Sequence, residues 1–234
     1  MTGIVAMLDG RDWTAIAHEL DVEGHALLPG LLTPAQAREL ATAAPATAPT
    51  TRASASASAD NGELFGHAPS APAAWMPWRE AFYRHLAPIA NRWQQILDDP
   101  LRYPAELPAF LAQNRAAGQT QPLSRLQRLR QGDEVGLHQH VDGDCVFPLQ
   151  VVALLSEPGR DFTGGEFVMT EQRPRMQSRP IVLPLGIGDA AIIGAGQRPF
   201  RGSAGYYRVN LKHAISRVRD GERVGLDLLL HDAP

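Results

Sequence analysis

Leu137-His138-Gln139-His140-Val141-Asp142 stands near the middle of this 234-residue chain, and its reading decides the fold. Alternation along a strand puts residues 138, 140 and 142 on one face. Three chelating side chains turned into an apolar interior are costly unless a cation or hydrogen-bond partners satisfy them. Seventy-three residues beyond His140 comes His213, followed ten positions later by Arg223. Residues so distant in sequence meet when strands pair across a barrel, and a barrel turns this layout into a mononuclear metal site. Neutral imidazoles with a carboxylate suit Fe(II), and three ligands on one face leave positions open for substrate, cosubstrate and O2. The trailing arginine is suited to a two-point salt bridge with a carboxylate.

The texture around the motif agrees with a barrel. From Gln121 onward, short apolar runs are punctuated by Gly and Pro, giving strands near 123–131, 135–140, 147–155, 165–170, 180–184, 189–194, 206–211 and 224–230. Upstream, apolar side chains at helical spacing predict helices over 8–20, 78–97 and 104–117, and Thr33-Pro34-Ala35-Gln36 caps another that runs to about Ala43. Gly24 to Gly30 reads as a short strand ended by a turn. The expected fold class is α+β, mainly a β barrel of jelly-roll, cupin-like form, with N-terminal bracing helices. Residues 1–120 form the helical and strand segment packed on the barrel, and 121–234 form the metal-binding core of a single domain. The Ser-Ala tract within 44–75 has too little apolar surface to order itself and reads as a flexible loop or lid.

Composition narrows the function classes. No apolar run approaches the ~18 residues of a membrane span, so no membrane partner is expected. The N-terminus lacks a basic, signal-like stretch, and a single cysteine, Cys145, excludes an internal disulfide and fits a reducing compartment. We therefore expect a cytoplasmic, bacterial protein. A net charge of −3 argues against bulk nucleic-acid binding, so nucleic acid is not the expected partner; a small-molecule substrate is the default, with a peptide or nucleobase also open, and a homodimer is compatible with this reading. The distribution is less even, because residues 121–223 hold 14 basic and 11 acidic side chains, and 21 of the 22 basic residues are arginine.

The motifs, taken together, resemble a known superfamily. The His-x-Asp-like pair, the distant His213 and an arginine ten residues later are similar to the Fe(II)/2-oxoglutarate oxygenases. More specifically, the chain resembles an uncharacterised bacterial family of 2-oxoglutarate-Fe(II) oxygenases. The matching text includes Leu137-His138-Gln139, Phe147-Pro148-Leu149-Gln150-Val151-Val152, Leu154-Leu155-Ser156-Glu157-Pro158-Gly159, the run Asp161-Phe162-Thr163-Gly164-Gly165-Glu166-Phe167 through Ser178, and Tyr207-Arg208-Val209-Asn210-Leu211. It covers most of the chain outside roughly 44–75. The resemblance implies a double-stranded β-helix, Fe(II) and O2, 2-oxoglutarate as cosubstrate, and hydroxylation of a small or amino-acid-like molecule.

Four departures from the family pattern bear on the site. His140 stands where the family has aspartate, Leu129 and Glu134 stand where aromatics are expected, and Gly225 replaces a hydroxyl two residues after Arg223. Two ligand sets are open. In the aligned register His138, His140 and His213 form a neutral three-histidine face; in the slipped register His140, Asp142 and His213 restore a carboxylate. The aligned set is favoured because the flanking matches carry no gap. Arg223 is the expected anchor of the cosubstrate carboxylate, with Asn210 a further cofactor-binding candidate. Arg208 and Glu166 are candidates to face the site. His18, His25, His67, His85 and His231 lack ligand spacing. A three-histidine dioxygenase that does not use 2-oxoglutarate, or a non-catalytic carboxylate-binding barrel, are the alternatives.

Overall fold

A computed structural model describes residues 2–43 and 72–234. The Ser-Ala tract, and most of the loop or lid expected over 44–75, lies outside these residues, as does His67.

The chain opens with α1 (Thr2–Asp9), α2 (Trp13–Glu23), β1 (His25–Leu28) and α3 (Pro34–Thr42), and resumes with α4 (Pro72–Ile96) and α5 (Leu107–Ala116). Where one helix is expected over 8–20, the structure has two. The break falls at Gly10-Arg11-Asp12, because the Asp12 carboxylate accepts hydrogen bonds from the Thr14 and Ala15 N–H groups, both at 3.0 Å, and starts α2 afresh. Gly24, at φ +76°, closes that helix in a left-handed conformation. Thr33 and Gln36 form a reciprocal capping box at the start of α3.

The remaining elements are strands: β2 (Gln121–Pro122), β3 (Arg125–Arg130), β4 (Val135–His138), β5 (Leu149–Leu154), β6 (Phe162–Gly164), β7 (Phe167–Gln172), β8 (Arg179–Leu183), β9 (Ala190–Gly194), β10 (Gln197–Gly202), β11 (Gly205–Ile215), β12 (Val218–Leu228) and β13 (Asp232–Ala233). Two antiparallel sheets carry the fold. One runs β1-β9-β5-β12-β3 with β6 on β12, and the other runs β10-β11-β7-β8 with β4 on β11. This is the mainly β jelly-roll plan expected from the sequence. The short strands β2, β6, β10 and β13 are not among the expected ones, being too brief or too polar to announce themselves.

Period-two alternation divides the core. On β5, Leu149, Val151 and Ala153 pack against the helices with Leu226 and Leu228 of β12, whereas Val152 and Leu154 face the second sheet with Met169, Leu183 and Leu211. Both faces of the larger sheet are thus covered, and β5 and β9 are buried along their whole length. The N-terminal segment braces one face and also donates β1 to the sheet edge.

The face of the larger sheet turned to the second sheet carries the polar exceptions. Register sets Arg223 opposite Leu129, Gly225 opposite Leu154, and Asp227 opposite both Arg125 and Val152. Gln150 continues that face on β5, two residues before Val152.

Candidate metal centre

His138 ends β4, and its register partner on β11 is His213. His140 follows in extended chain beyond the strand, so β4 is shorter than the expected 135–140. The chain here leaves the second sheet for the first: the His140 N–H donates to Ala195 O at 3.3 Å, just past the end of β9. Helix α5 clamps the loop that follows. Gln119 accepts from the Cys145 N–H at 2.7 Å, and Asn114 donates to Cys145 O at 3.2 Å. Phe147 wedges among Tyr83, Tyr103 and Phe110. The Cys145 side chain is half-buried and packs against the core on the helical side.

These elements gather three imidazoles. One ligand-capable atom from each of His138, His140 and His213 lies within 4.8 Å of the other two. His140 and His213 are 6% and 3% exposed. Asp142 is exposed and lies outside this group, because the chain turns outward toward Gly143 at φ +109°. The face shared by 138, 140 and 142 in an ideal strand is not kept once β4 has ended.

Hydrogen bonds orient the rings. Gly136 O lies 2.9 Å from His138 Nδ1. The Gln150 amide, buried on β5, joins the other two: its Oε1 accepts from His140 Nδ1 at 2.9 Å, and its Nε2 lies 3.2 Å from His213 Nε2. His140 therefore carries its proton on Nδ1 and offers Nε2. His213 Nδ1 is buried without a hydrogen-bond partner. Burial pushes all three imidazoles below their ordinary pKa, His140 to about 4, and for His213 the charges of His138 and His140 add to the effect. All three are neutral near pH 7, the form that binds metal.

The donor set fits a divalent transition metal. Imidazole suits iron, zinc, copper and nickel. Three nitrogens bound on one face of an ion at ~2.1 Å stand ~3 Å apart, so rings whose ligand atoms lie within 4.8 Å of one another must close by up to about 1.8 Å to share it. The shared neutral protonation state points the same way.

Phe167 stacks on His213, with ring centroids 5.8 Å apart and planes 9° apart. It also lines a cavity of about 330 Å³ whose wall includes Leu154, Phe162, Gly165, Leu183 and Arg223. Arg223 is 3% exposed, and its Nε donates to Gly165 O at 2.8 Å. No carboxylate among the described residues pairs with it. Burial lowers its pKa to about 10, an effect the Asp227 charge opposes. Gly165 is required twice over: its φ is +64°, and a Cβ there would stand 3.0 Å from Arg223 Cδ. At Gly225 a Cβ would lie 2.9 Å from Arg223 Nη1, so the guanidinium occupies the space of the missing hydroxyl residue.

Other candidates lie elsewhere. Asn210 is exposed, on the face of β11 opposite to His213, and accepts from Gln197. Arg208 is exposed and pairs with Asp99 at 3.3 Å. Glu166 borders the Arg223 cavity and accepts from Ser216 Oγ. His85 stacks on Trp13, and His18 lines a groove between α2 and α4. Sequence reasoning missed Gln150, Phe167 and Asp227 as members of the site. Gln150 and Asp227 had a legible signal, Gln150 being the lone polar residue of β5 and Asp227 that of the apolar run 224–230.

The model of an oxygenase family, described as catalysing oxidative methylation of damaged DNA, matches residues 62–233. An uncharacterised protein of Mycobacterium tuberculosis, present in strains H37Rv and CDC 1551, is 41% identical over 155 residues, covering 66% of this chain and 66% of that protein. The chain thus aligns with just under two thirds of that relative's length. A crystal structure of an oxidoreductase of the 2OG-Fe(II) oxygenase family from Burkholderia pseudomallei covers 96% of this chain and 94% of its own, with a TM-score of 0.54 and 16% identity. The fold is shared. The mention of damaged DNA runs against the expectation that nucleic acid is not a partner. No helix among the described residues is long and apolar enough to cross a membrane.

Proposed function

Because the chain belongs to the oxygenase family whose model matches residues 62–233, we propose that it oxidises its substrate with Fe(II), 2-oxoglutarate and O2, using His138, His140 and His213 to hold the metal and Arg223 to anchor the cosubstrate. One observation carries this reading. A cluster of three neutral imidazoles and a buried arginine without a carboxylate partner share a single ring, Phe167, between them. A buried guanidinium in an apolar cavity calls for an anionic ligand, and a dicarboxylate supplies one.

Bound there, Fe(II) with 2-oxoglutarate supplies oxidation of an unactivated C–H bond, with succinate and CO2 as co-products. The protein's share is positioning and exclusion of water. Gln150 fixes the His140 proton on Nδ1, Phe167 walls the metal side of the cavity, and Gly165 lets the Arg223 stem pass close to the backbone.

For the substrate, the family description favours a base in damaged DNA over the small molecule suggested by net charge. Two features of this chain support that order. Residues 121–223 carry more basic than acidic side chains, and Leu137 and Val141, 52% and 44% exposed, flank the histidine pair. Exposed apolar side chains beside a reaction centre are suited to holding a base out of its stack.

Succinate release tests the proposal: protein with Fe(II) and labelled 2-oxoglutarate is given alkylated single-stranded DNA, and in parallel free amino acids. Succinate formed with the DNA and not with amino acids is expected; succinate with neither sinks the reading. A second reading, a three-histidine oxygenase independent of 2-oxoglutarate, is favoured by His140 and Gly225. It predicts O2 uptake without succinate.

A further inference from the structure

Three imidazoles bring no charge to a divalent ion, so a site with His140 in place of a carboxylate lacks an anion among its ligands. On the face of the larger sheet that carries Gln150 and Arg223, the buried carboxylate is Asp227. It lies on β12 opposite Val152, two residues along the same face of β5 from Gln150, whose amide touches both His140 and His213. Asp227 is 8% exposed and accepts from Arg125 Nε at 3.1 Å across the β12–β3 pairing. The surrounding run Val224-Gly225-Leu226-Asp227-Leu228-Leu229-Leu230 is otherwise apolar, and taking a carboxylate out of water is costly unless nearby positive charge repays it.

Burial pushes the Asp227 carboxyl up, yet Arg125 and the three imidazoles outweigh it and hold the group below its ordinary range. Arg125 sits on the sheet-edge strand β3, where its side chain is 23% exposed and partly hydrated.

We propose that Asp227 is a charge-balancing, positioning residue, supplying from outside the ligand set the negative charge that histidine at position 140 does not bring. Arg125 pairs with the carboxylate and offsets part of its charge. This inference rests on the three-histidine metal reading above and adds to it the source of the compensating anion.

Co(II) titration of the full chain, followed by visible absorption, tests it without any turnover. Asp227→Asn is expected to weaken Co(II) binding by about 10- to 100-fold, the usual cost of losing a group that supports a ligand set. Asp227→Glu restores most of the affinity, and Arg125→Gln, which removes the opposing charge, tightens it. In a His140→Asp background, where a ligand carries the anion, Asp227→Asn costs much less; this difference is the coupling that a merely structural ion pair would not show. Unchanged binding in Asp227→Asn, or an equal loss in both backgrounds, overturns the proposal. Should Asp227→Asn fail to fold, weaker Co(II) binding by Arg125→Gln overturns it instead. A wild-type chain that binds no Co(II) removes the metal site itself and this inference with it, a result distinct from intact binding that ignores Asp227.

Discussion

His138 and His213 are direct cross-strand partners, with ring centroids 4.2 Å apart. Backbone pairing of β4 with β11 thus joins residues from distant parts of the sequence into one pair of candidate ligands, and the register, not side-chain chance, brings them together. A slip by one residue would turn His138 to the opposite face. His140 is held differently, by the Ala195 carbonyl on its backbone and the Gln150 amide on its ring, so the cluster depends on both sheets at once.

Gln150→Leu tests that dependence. The substitution leaves the His140 Nδ1–H buried without its acceptor, a cost of about 1–3 kcal/mol in the metal-free fold. Co(II) affinity is expected to fall by about 10- to 100-fold. Denaturant titration of the metal-free protein and Co(II) absorption read the two effects separately. Wild-type Co(II) affinity in this variant would show that the amide does not set the ligands.

Arg223→Gln is expected to separate cosubstrate from metal. Losing one partner of a buried charge pair costs about 2–5 kcal/mol, so the 2-oxoglutarate concentration for half-saturation rises by at least about 30-fold, while Co(II) binding stays as in wild type. Calorimetric titration of 2-oxoglutarate into Co(II)-loaded protein is the measurement. Equal 2-oxoglutarate affinity in both proteins would remove Arg223 from the site.

His231 predicts a pH dependence of stability. It is 1% exposed, both ring nitrogens lack hydrogen-bond partners, and burial lowers its pKa to about 3, with the charges of His140 and Arg79 acting in the same direction. Unfolded, its pKa is about 6.5. The unfolded state therefore binds the proton first as pH falls. The stability of the neutral, buried form is complete above about pH 6.5 and declines toward pH 3, by up to ~1.4 kcal/mol per pH unit for this one group. Thermal melts of metal-free protein between pH 7.5 and 4.5 should show a shallower decline in His231→Leu than in wild type. Identical slopes would contradict this.

The buried pair Arg198–Glu171 predicts a stability effect away from the site. Arg198 is fully buried on β10, bonds Glu171 of β7, and donates to the Asp21 and Val22 carbonyls at the end of α2, at 2.7 and 3.1 Å. It ties the helical segment to the second sheet. Arg198→Met leaves buried Glu171 with Arg173 alone, removes the donor to the Asp21 and Val22 carbonyls, and is expected to cost about 3 kcal/mol, read by urea denaturation, whereas Arg208→Met, at an exposed pair, should cost under about 1 kcal/mol.

Much of this architecture was legible in the residues. The apolar runs punctuated by Gly and Pro announced the long strands, and Thr33-Pro34 announced the start of α3. The histidines declared themselves by type and spacing, since few structural reasons exist to bury three of them together. What the sequence hid was set by tertiary contacts. The β10–β11 hairpin contains Arg198 and Phe200 facing inward, and their burial depends on Glu171 and Arg173 arriving from another strand. Asn210 looked close to His213 by number, yet the odd step of three residues puts it on the opposite face of β11. Asp142 looked interchangeable with His138 until the strand ended between them. Gln150 was visible as the lone polar residue of β5 and Asp227 as that of the run 224–230, but their place on one face of the sheet needed the register of β5 and β12.

The most direct test is metal content after loading with one equivalent of Fe(II) under anaerobic conditions and gel filtration, compared among wild type, His138→Ala, His213→Ala and Asp142→Ala. Three histidines gripping one ion predict about one iron per chain in wild type and Asp142→Ala, and close to none in the two histidine variants. Iron retained by His138→Ala and lost by Asp142→Ala would contradict the account at its centre.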